Sequence, residues 1–210
     1  MARPIDPNRI QKNQQKIIAI AKKIFAQKGM EVTTMNDIAK EAGMSKSTLY
    51  VYYKNKEAIQ NDMALEGMDY LYTQLQERVD KESMNLHDRY MTICRILVEL
   101  KEKHPLSFQL IVSEISVDEQ SLQENAVLAR IYEVGERINR YVYENFFNEN
   151  QSNKDLFCNV FTQWGAIYGV IMLADNKQAY LQKSVGMSRE EFLQQGFERL
   201  FQMMEQSESI

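Results

Sequence analysis

The sequence predicts an all-α protein: an N-terminal three-helix unit followed by a larger helical body, about nine helices in total. Three observations carry that reading. Only 3 Pro and 8 Gly occur in 210 residues, fewer than a turn-rich sheet protein normally uses. Apolar residues recur at spacings of three and four along nearly the whole chain, and no stretch alternates convincingly with a period of two. Helix-capping residue types stand where the periodic runs begin and end. An apolar share of 44% and a charged share of 26% are those of a globular protein, and the length is ample for a sizeable core. There is no internal repeat or low-complexity tract.

Ile17, Ile20, Ala21, Ile24 and Phe25 define a first helix over residues 9–27, and Gly29 ends it as a left-handed C′ residue. Thr34 is the expected N-cap of a short second helix with Met35, Ile38, Ala39 and Ala42 inward. Asp37, three residues later, makes a near capping box. Gly43 stops this helix and Met44 plugs the turn. Ser45 caps a third helix to about Tyr52, with Leu49 and Tyr53 inward. A long helix then opens at Lys56 or Glu57 and runs to about Val79 through Ile59, Met63, Leu71 and Leu75. Residues 86–103 form the next, with Tyr90, Ile93, Cys94, Leu97 and Leu100 at helical spacing. Pro105 opens a helix to about Ile115. Residues 120–147 read as one long amphipathic helix carrying Val127, Ile131, Val134, Ile138 and Tyr141. A strongly apolar helix runs from Asn153 or Asp155 to Ala174, and a short one covers residues 177–183. Ser188 and Glu191 make a full capping box for the last helix, to about Met204.

The formal net charge of −4 argues, taken whole, against a nucleic-acid partner. The charge is unevenly spread, however. Residues 1–60 carry eleven Lys and Arg against five acids, a net of +6, and the remaining 150 residues carry a net of −10. A basic head on an acidic body points to an anionic partner for the head.

Within that head, two short helices joined by a tight Gly-containing turn make a helix-turn-helix arrangement. Its second helix can enter the major groove of DNA N-terminus first. Ser45, Lys46, Ser47 and Thr48 occupy that N-terminus, with hydroxyls and one ammonium suited to bases and phosphates. Tyr50, Tyr52, Lys54 and Lys56 follow at outward positions and suit a strip of phosphates. Thr34 offers a hydroxyl and helix N-terminal N–H groups to another. The plainer alternative is a small bundle with a solvated lysine face.

Residues 17–59 resemble the DNA-binding domain of the TetR family of bacterial transcriptional regulators. The landmarks are Phe25, Gly29, Thr34, Ile38-Ala39, Ala42-Gly43, Ser45, Thr48-Leu49-Tyr50, Tyr52-Tyr53 and Asn55-Lys56-Glu57. Ser47 stands where the family usually has Gly, and Tyr53 where it usually has Phe. The resemblance implies a DNA-binding domain over residues 1–60 and a ligand-binding and dimerisation domain over residues 61–210. It implies that Thr34, Tyr50, Tyr52 and Lys56 grip phosphates. Ser45, Lys46, Ser47 and Thr48 would lie nearest the bases. It also implies a homodimeric repressor on a palindromic double-stranded operator, released by a small-molecule effector. A TetR-like activator, or a helical adaptor whose basic head meets a protein or an anionic surface, is the competing reading.

The body carries weaker signals. The helix over residues 153–174 is apolar nearly all round, so both of its sides should be buried, one by a second copy. Phe161, Gly165, Gly169 and Met172, with Phe192, Gly196, Phe197 and Leu200 of the last helix, are the expected dimer interface. Tyr90, Cys94, Tyr132, Tyr141, Phe161, Trp164 and Tyr168 are candidates for an apolar effector pocket. The acidic body favours a neutral or cationic effector, weakly.

Several classes are not expected. Two Cys and two His do not make an ordinary zinc site. His87 and His104 read as solvated loop or helix-end residues, and Cys94 and Cys158 as buried inert thiols. There is no nucleophile–base pair or phosphate loop, so neither an enzyme nor a cofactor is expected. Residues 1–8 lack the apolar core of an export signal. The longest strongly apolar stretch, residues 164–174, is short of the roughly 20 residues that span a bilayer. A cytoplasmic protein without membrane contact is the expectation.

Overall fold

The computed structural model describes residues 7–112, 119–146 and 153–207. Among the described residues the protein is built of eleven α-helices with no strand. They are α1 (Pro7–Lys28), α2 (Met35–Glu41), α3 (Lys46–Tyr52), α4 (Lys56–Arg78), α5 (Leu86–Lys103), α6 (Pro105–Val112), α7 (Glu119–Glu124), α8 (Ala126–Phe146), α9 (Asn153–Asn176), α10 (Gln178–Val185) and α11 (Arg189–Ser207). The all-α class stands, with eleven helices against a total of about nine expected; of the ten spans placed one by one from periodicity, one divides at Asn125. Its Oδ1 accepts from the backbone N–H of Val127 and of Leu128, at 3.1 and 3.3 Å. That side-chain cap starts α8 afresh, so the helix expected over 120–147 is two helices. The expected ends at Ile115 and Phe147 lie outside the described residues.

The chain forms two compact units, and neither is continuous in sequence. The first contains residues 1–68 and 104–132, and the second residues 69–103 and 133–210. The basic head lies inside the first unit, which recruits the start of α4, α6, α7 and the start of α8 as well.

In the first unit, Ile17, Ala21, Ile24 and Phe25 of α1 meet Ile38 and Ala39 of α2 and Leu49 and Tyr53 at the end of α3. Ile59, Met63 and Ala64 of α4, Leu110 of α6 and Ile131 of α8 complete this core. Gly67 lets α4 and α6 approach closely. A Cβ there would stand 2.6 Å from Ser107 Cβ and 3.1 Å from Ile111 Cδ1.

Capping fixes the short helices. The Thr34 hydroxyl accepts from the Asp37 N–H at 3.2 Å, and Asp37 Oδ2 accepts from the Thr34 N–H at 3.0 Å, a reciprocal capping box. Asp37 also accepts from Lys28 Nζ at 3.2 Å. Hydrogen bonds from the Thr34 hydroxyl and N–H, and then the lysine, hold the Asp37 carboxyl at about 2, below its ordinary 3.8.

In the second unit α9 packs along α11, and both pack on α5. Val160, Trp164, Ile167, Ile171 and Ala174 form the buried side of α9, against Leu193, Phe197 and Phe201 of α11 and Ile93, Leu97 and Leu100 of α5. Residues 157–176 form a helix long and apolar enough to cross a membrane. This is longer than the stretch read from sequence, because Thr162 and Gln163 interrupt the run without charging it. The capping box of Ser188 and Glu191 is present at α11, with bonds of 2.8 and 3.1 Å. Lys101 and Arg189 both pair with Asp175. His87 is at a helix end as expected, but it is not simply solvated. Its Nε2 lies 2.9 Å from Glu198 Oε2 and its ring stands edge-on to Phe201. The Glu198 contact raises its pKa above the usual 6.5.

Two predictions follow from this packing. Gly67→Ala should destabilise the protein by about 1–3 kcal/mol in chemical denaturation, despite its better helix propensity. Ser107→Gly should restore part of that loss, and additive effects would refute the close-approach explanation. The Asp37 contribution is present above pH 3.8 and is lost as pH falls toward about 2. Asp37→Asn should therefore flatten the acid limb of thermal stability in that interval, and an unchanged limb would refute the capping account.

Candidate functional site

The helix-turn-helix is assembled by backbone bonds around Gly43. The Met44 N–H donates to Ala39 O at 2.9 Å, and Gly43 adopts φ 65°, a conformation Gly reaches without strain. Ser45 then caps α3, its Oγ accepting from the Thr48 N–H at 3.1 Å. The hydroxyls of Ser47 and Thr48 lie 2.9 and 2.7 Å from the same Oγ, so the start of α3 is a cluster of three hydroxyls. Leu49 is buried beneath it. Thr34, Ser45, Lys46, Ser47, Thr48 and Tyr50 are all exposed. Lys46 Nζ stands 5.8 Å from the Tyr50 ring centroid, a cation–π contact that draws the ammonium along the outer face of α3.

Tyr52 and Lys56 hold different places from the other candidates. The Tyr52 hydroxyl accepts from Asn13 Nδ2 at 2.7 Å, which ties the end of α3 to α1. Lys56 Nζ donates to the carbonyls of Met30 and Glu31 at 2.7 and 3.0 Å, bracing the α1–α2 connection. Both side chains do structural work that their sequence pattern did not announce. Val51 was missed altogether: it is 64% exposed on α3, one residue after Tyr50. Its apolar side chain is left largely uncovered.

The basic charge of the head is sorted by pairing. Lys22, Lys23 and Lys28 pair with Glu66, Glu41 and Asp37 at 2.8, 2.8 and 3.2 Å. Lys16 donates to the Ala42 carbonyl at 3.0 Å. Arg9, Lys12, Lys40, Lys46 and Lys54 have no carboxylate partner among the described residues and, with the carbonyl-bound Lys16 and Lys56, supply the uncompensated positive charge.

The body contains an apolar cavity with about 20 Å³ of free space. Tyr90 and Trp164, both expected at a pocket, line it. So do Ile93, Val142, Phe146, Val160, Ile167 and Met204. The other candidates lie elsewhere. Cys94 is fully buried, which pushes its thiol pKa up. Tyr141 donates to the Val79 carbonyl at 2.6 Å, a structural bond. Tyr168 stacks on Trp164, with ring centroids 6.1 Å apart. Tyr132 and Phe161 are exposed, as is Cys158, contrary to its expected burial. Among the described residues no cluster of three or more His, Cys, Asp or Glu side chains is placed to hold a metal.

The candidate dimer residues divide in the same way. Phe157, Phe161, Met172 and Leu173 lie exposed on α9, and the Phe157 and Phe161 rings stack at 5.9 Å. A Cβ at Gly165 or Gly169 would meet nothing within 4 Å. Phe197, by contrast, is buried in its own chain, and Gly196 faces Val170, whose Cγ1 a Cβ would approach to 2.8 Å. Phe192 and Leu200 are half-buried. Within one chain α9 thus has one covered and one uncovered apolar side.

Residues 17–63 match the family described as bacterial regulatory proteins, tetR family. The uncharacterized HTH-type transcriptional regulator YfiR of Bacillus subtilis is 31% identical over 91 residues, 43% of this chain and 42% of its own length. The HTH-type transcriptional repressor KstR2 of Mycolicibacterium smegmatis is 29% identical over 77 residues, 37% of this chain and 38% of its own. The chain thus matches less than half the length of either relative. A solved structure of a protein with unknown function from Rhodococcus sp. RHA1 is 14% identical and shares the fold, with a TM-score of 0.65 over 90% of this chain and 94% of that one. Residues 17–63 of the chain thus carry the N-terminal domain of the tetR family of bacterial regulatory proteins.

Proposed function

We propose that the protein is a homodimeric transcriptional repressor that binds a palindromic operator in the cytoplasm and is released by a small molecule held in its body. The observation that carries this reading is the outward face of α3. Ser45, Lys46, Ser47, Thr48 and Tyr50 form a polar, uncovered strip at the start of a helix that a family-matched helix-turn-helix presents. Lys46 and the hydroxyls suit base edges, and Val51 suits a thymine methyl group. Thr34, with Lys40 and Lys54, suits flanking phosphates. Tyr52 and Lys56 keep the strip in place and reach phosphate only with what their internal bonds leave. The name of the relative KstR2 supports repression.

Dimerisation is supported by the uncovered apolar side of α9. Phe157, Phe161 and Met172, with the open Gly165 and Gly169, would bury a self-complementary stripe across a two-fold axis. Effector and operator would act through differential affinity for two states, so each weakens the other by the same factor.

Fluorescence anisotropy with a duplex selected in vitro by the wild-type protein should show affinity falling steeply with salt. Lys54→Ala should weaken all duplexes alike and reduce the salt slope by about 1. Lys46→Ala and Val51→Ala should change which bases are preferred. Salt-insensitive binding would overturn the DNA reading. In light scattering at micromolar concentration the wild type should be a dimer and Phe161→Glu a monomer, because the change places a charge in an apolar interface. A monomeric wild type would overturn the dimer reading.

A further inference from the structure

We propose that the body recognises an amphipathic carboxylate, with an apolar tail in the cavity beside Trp164 and its carboxylate on Arg89. This rests on the effector reading above and names the chemistry of the effector.

Arg89, in the first turns of α5, is only 9% exposed. Its Nε and Nη1 are buried and have no hydrogen-bond partner among the described residues. The guanidinium carbon stands 5.8 Å from the centroid of the Phe146 ring. A ring face offsets part of the cost of burying a cation, but it accepts none of the guanidinium's directed N–H bonds. Other buried or half-buried arginines of this unit are provided for: Arg78 donates to Glu99 at 2.8 Å, and Arg189 pairs with Asp175 and with Glu102. Arg89 alone of these three carries unmet buried donors, and the planar fork they form matches a carboxylate.

The cavity supplies the other half of the argument. Phe146, the ring beneath Arg89, is one of its walls, and Tyr90, the next residue in the chain, is another. Its remaining lining is apolar apart from groups already engaged. The Tyr90 hydroxyl donates to Gln163 Oε1 at 3.0 Å, and Trp164 Nε1 donates to Asn139 Oδ1 at 3.2 Å. The site therefore asks for an apolar ligand body and, one ring away, a single anion. The free space of the cavity is about 20 Å³, room for about one water, so an alkyl tail enters by displacing the side chains that line it. The net acidity of the body pointed the other way, but a buried local cation outweighs a solvated surface field.

Trp164 is the chain's one Trp and lines the cavity, so its fluorescence reports occupancy. The full-length protein is titrated with sodium decanoate, decanol and decylamine. Decanoate should bind about 30-fold tighter than decanol, the range expected of hydrogen bonds to a charged group, and decylamine weakest. Arg89→Gln should abolish the preference for decanoate and leave decanol within about twofold, while Arg89→Lys keeps part of it. If Arg89→Gln does not fold, as judged by circular dichroism, the order of the three probes on the wild type decides. Equal affinities for decanoate and decanol, no binding of any probe, or a preference that survives Arg89→Gln would overturn the proposal. Decanoate is also added to the protein on its selected duplex. Binding through Arg89 without release of DNA would overturn the effector reading and leave the anion site standing.

Discussion

Helices of seven residues are not stable alone in water, and the two that make the helix-turn-helix, α2 and α3, are both of that length. Everything the head presents depends on holding them against a core they cannot build. Leu49 of α3 and Ile38 of α2 are completely buried, and what buries them includes Ile59 and Met63 from α4 and Leu110 and Ile131 from far along the chain. The first compact unit is discontinuous for this reason: a head of about sixty residues has too little apolar surface, so it recruits α6 and the start of α8. The same shortage explains why Tyr52 and Lys56 are tied to α1 and to the loop after it. Side-chain bonds to fixed points orient α3 where packing alone is thin.

The body faces the opposite problem, an excess of apolar surface. α9 carries more of it than α11 and α5 cover. One side, from Val160 to Ala174, closes the core, and the other, from Phe157 to Leu173, is left to solvent in a single chain. An exposed stripe of stacked phenylalanines is costly unless another surface covers it. Gly165 and Gly169 lie open on the same helix and would let a partner's backbone approach closely.

Charge is used sparingly in the head. Its excess of +6 is larger on paper than in space. Three lysines are paired with carboxylates and two bond backbone carbonyls. Exposed pairs of that kind add little stability, but they decide where positive potential remains. It remains on Arg9, Lys12, Lys40, Lys46 and Lys54, and on Lys16 and Lys56, whose carbonyl partners carry no charge. In the body the logic is inverted: the mean charge is strongly negative, yet the unmet demand is one buried cation, Arg89.

By itself the sequence determined the all-α class, most helix boundaries, and the caps at Thr34, Ser45 and Ser188, because those depend on spacing and on neighbours within four residues. It also determined the helix-turn-helix and its outward hydroxyls, which one family pattern packs into a contiguous stretch. What it left undecided depends on residues distant in the chain. The break at Asn125 needed a choice between continuing a helix and capping a new one, which only the side-chain bonds settle. The internal ties of Tyr52 and Lys56 span 39 and 26 positions. Arg89 shares the apolar face of α5 with Ile93, Ile96 and Leu100, a signal present in the periodicity. Tertiary structure alone decided that its donors go unmet, because a charge's partners are set by what packs around it and not by what precedes it.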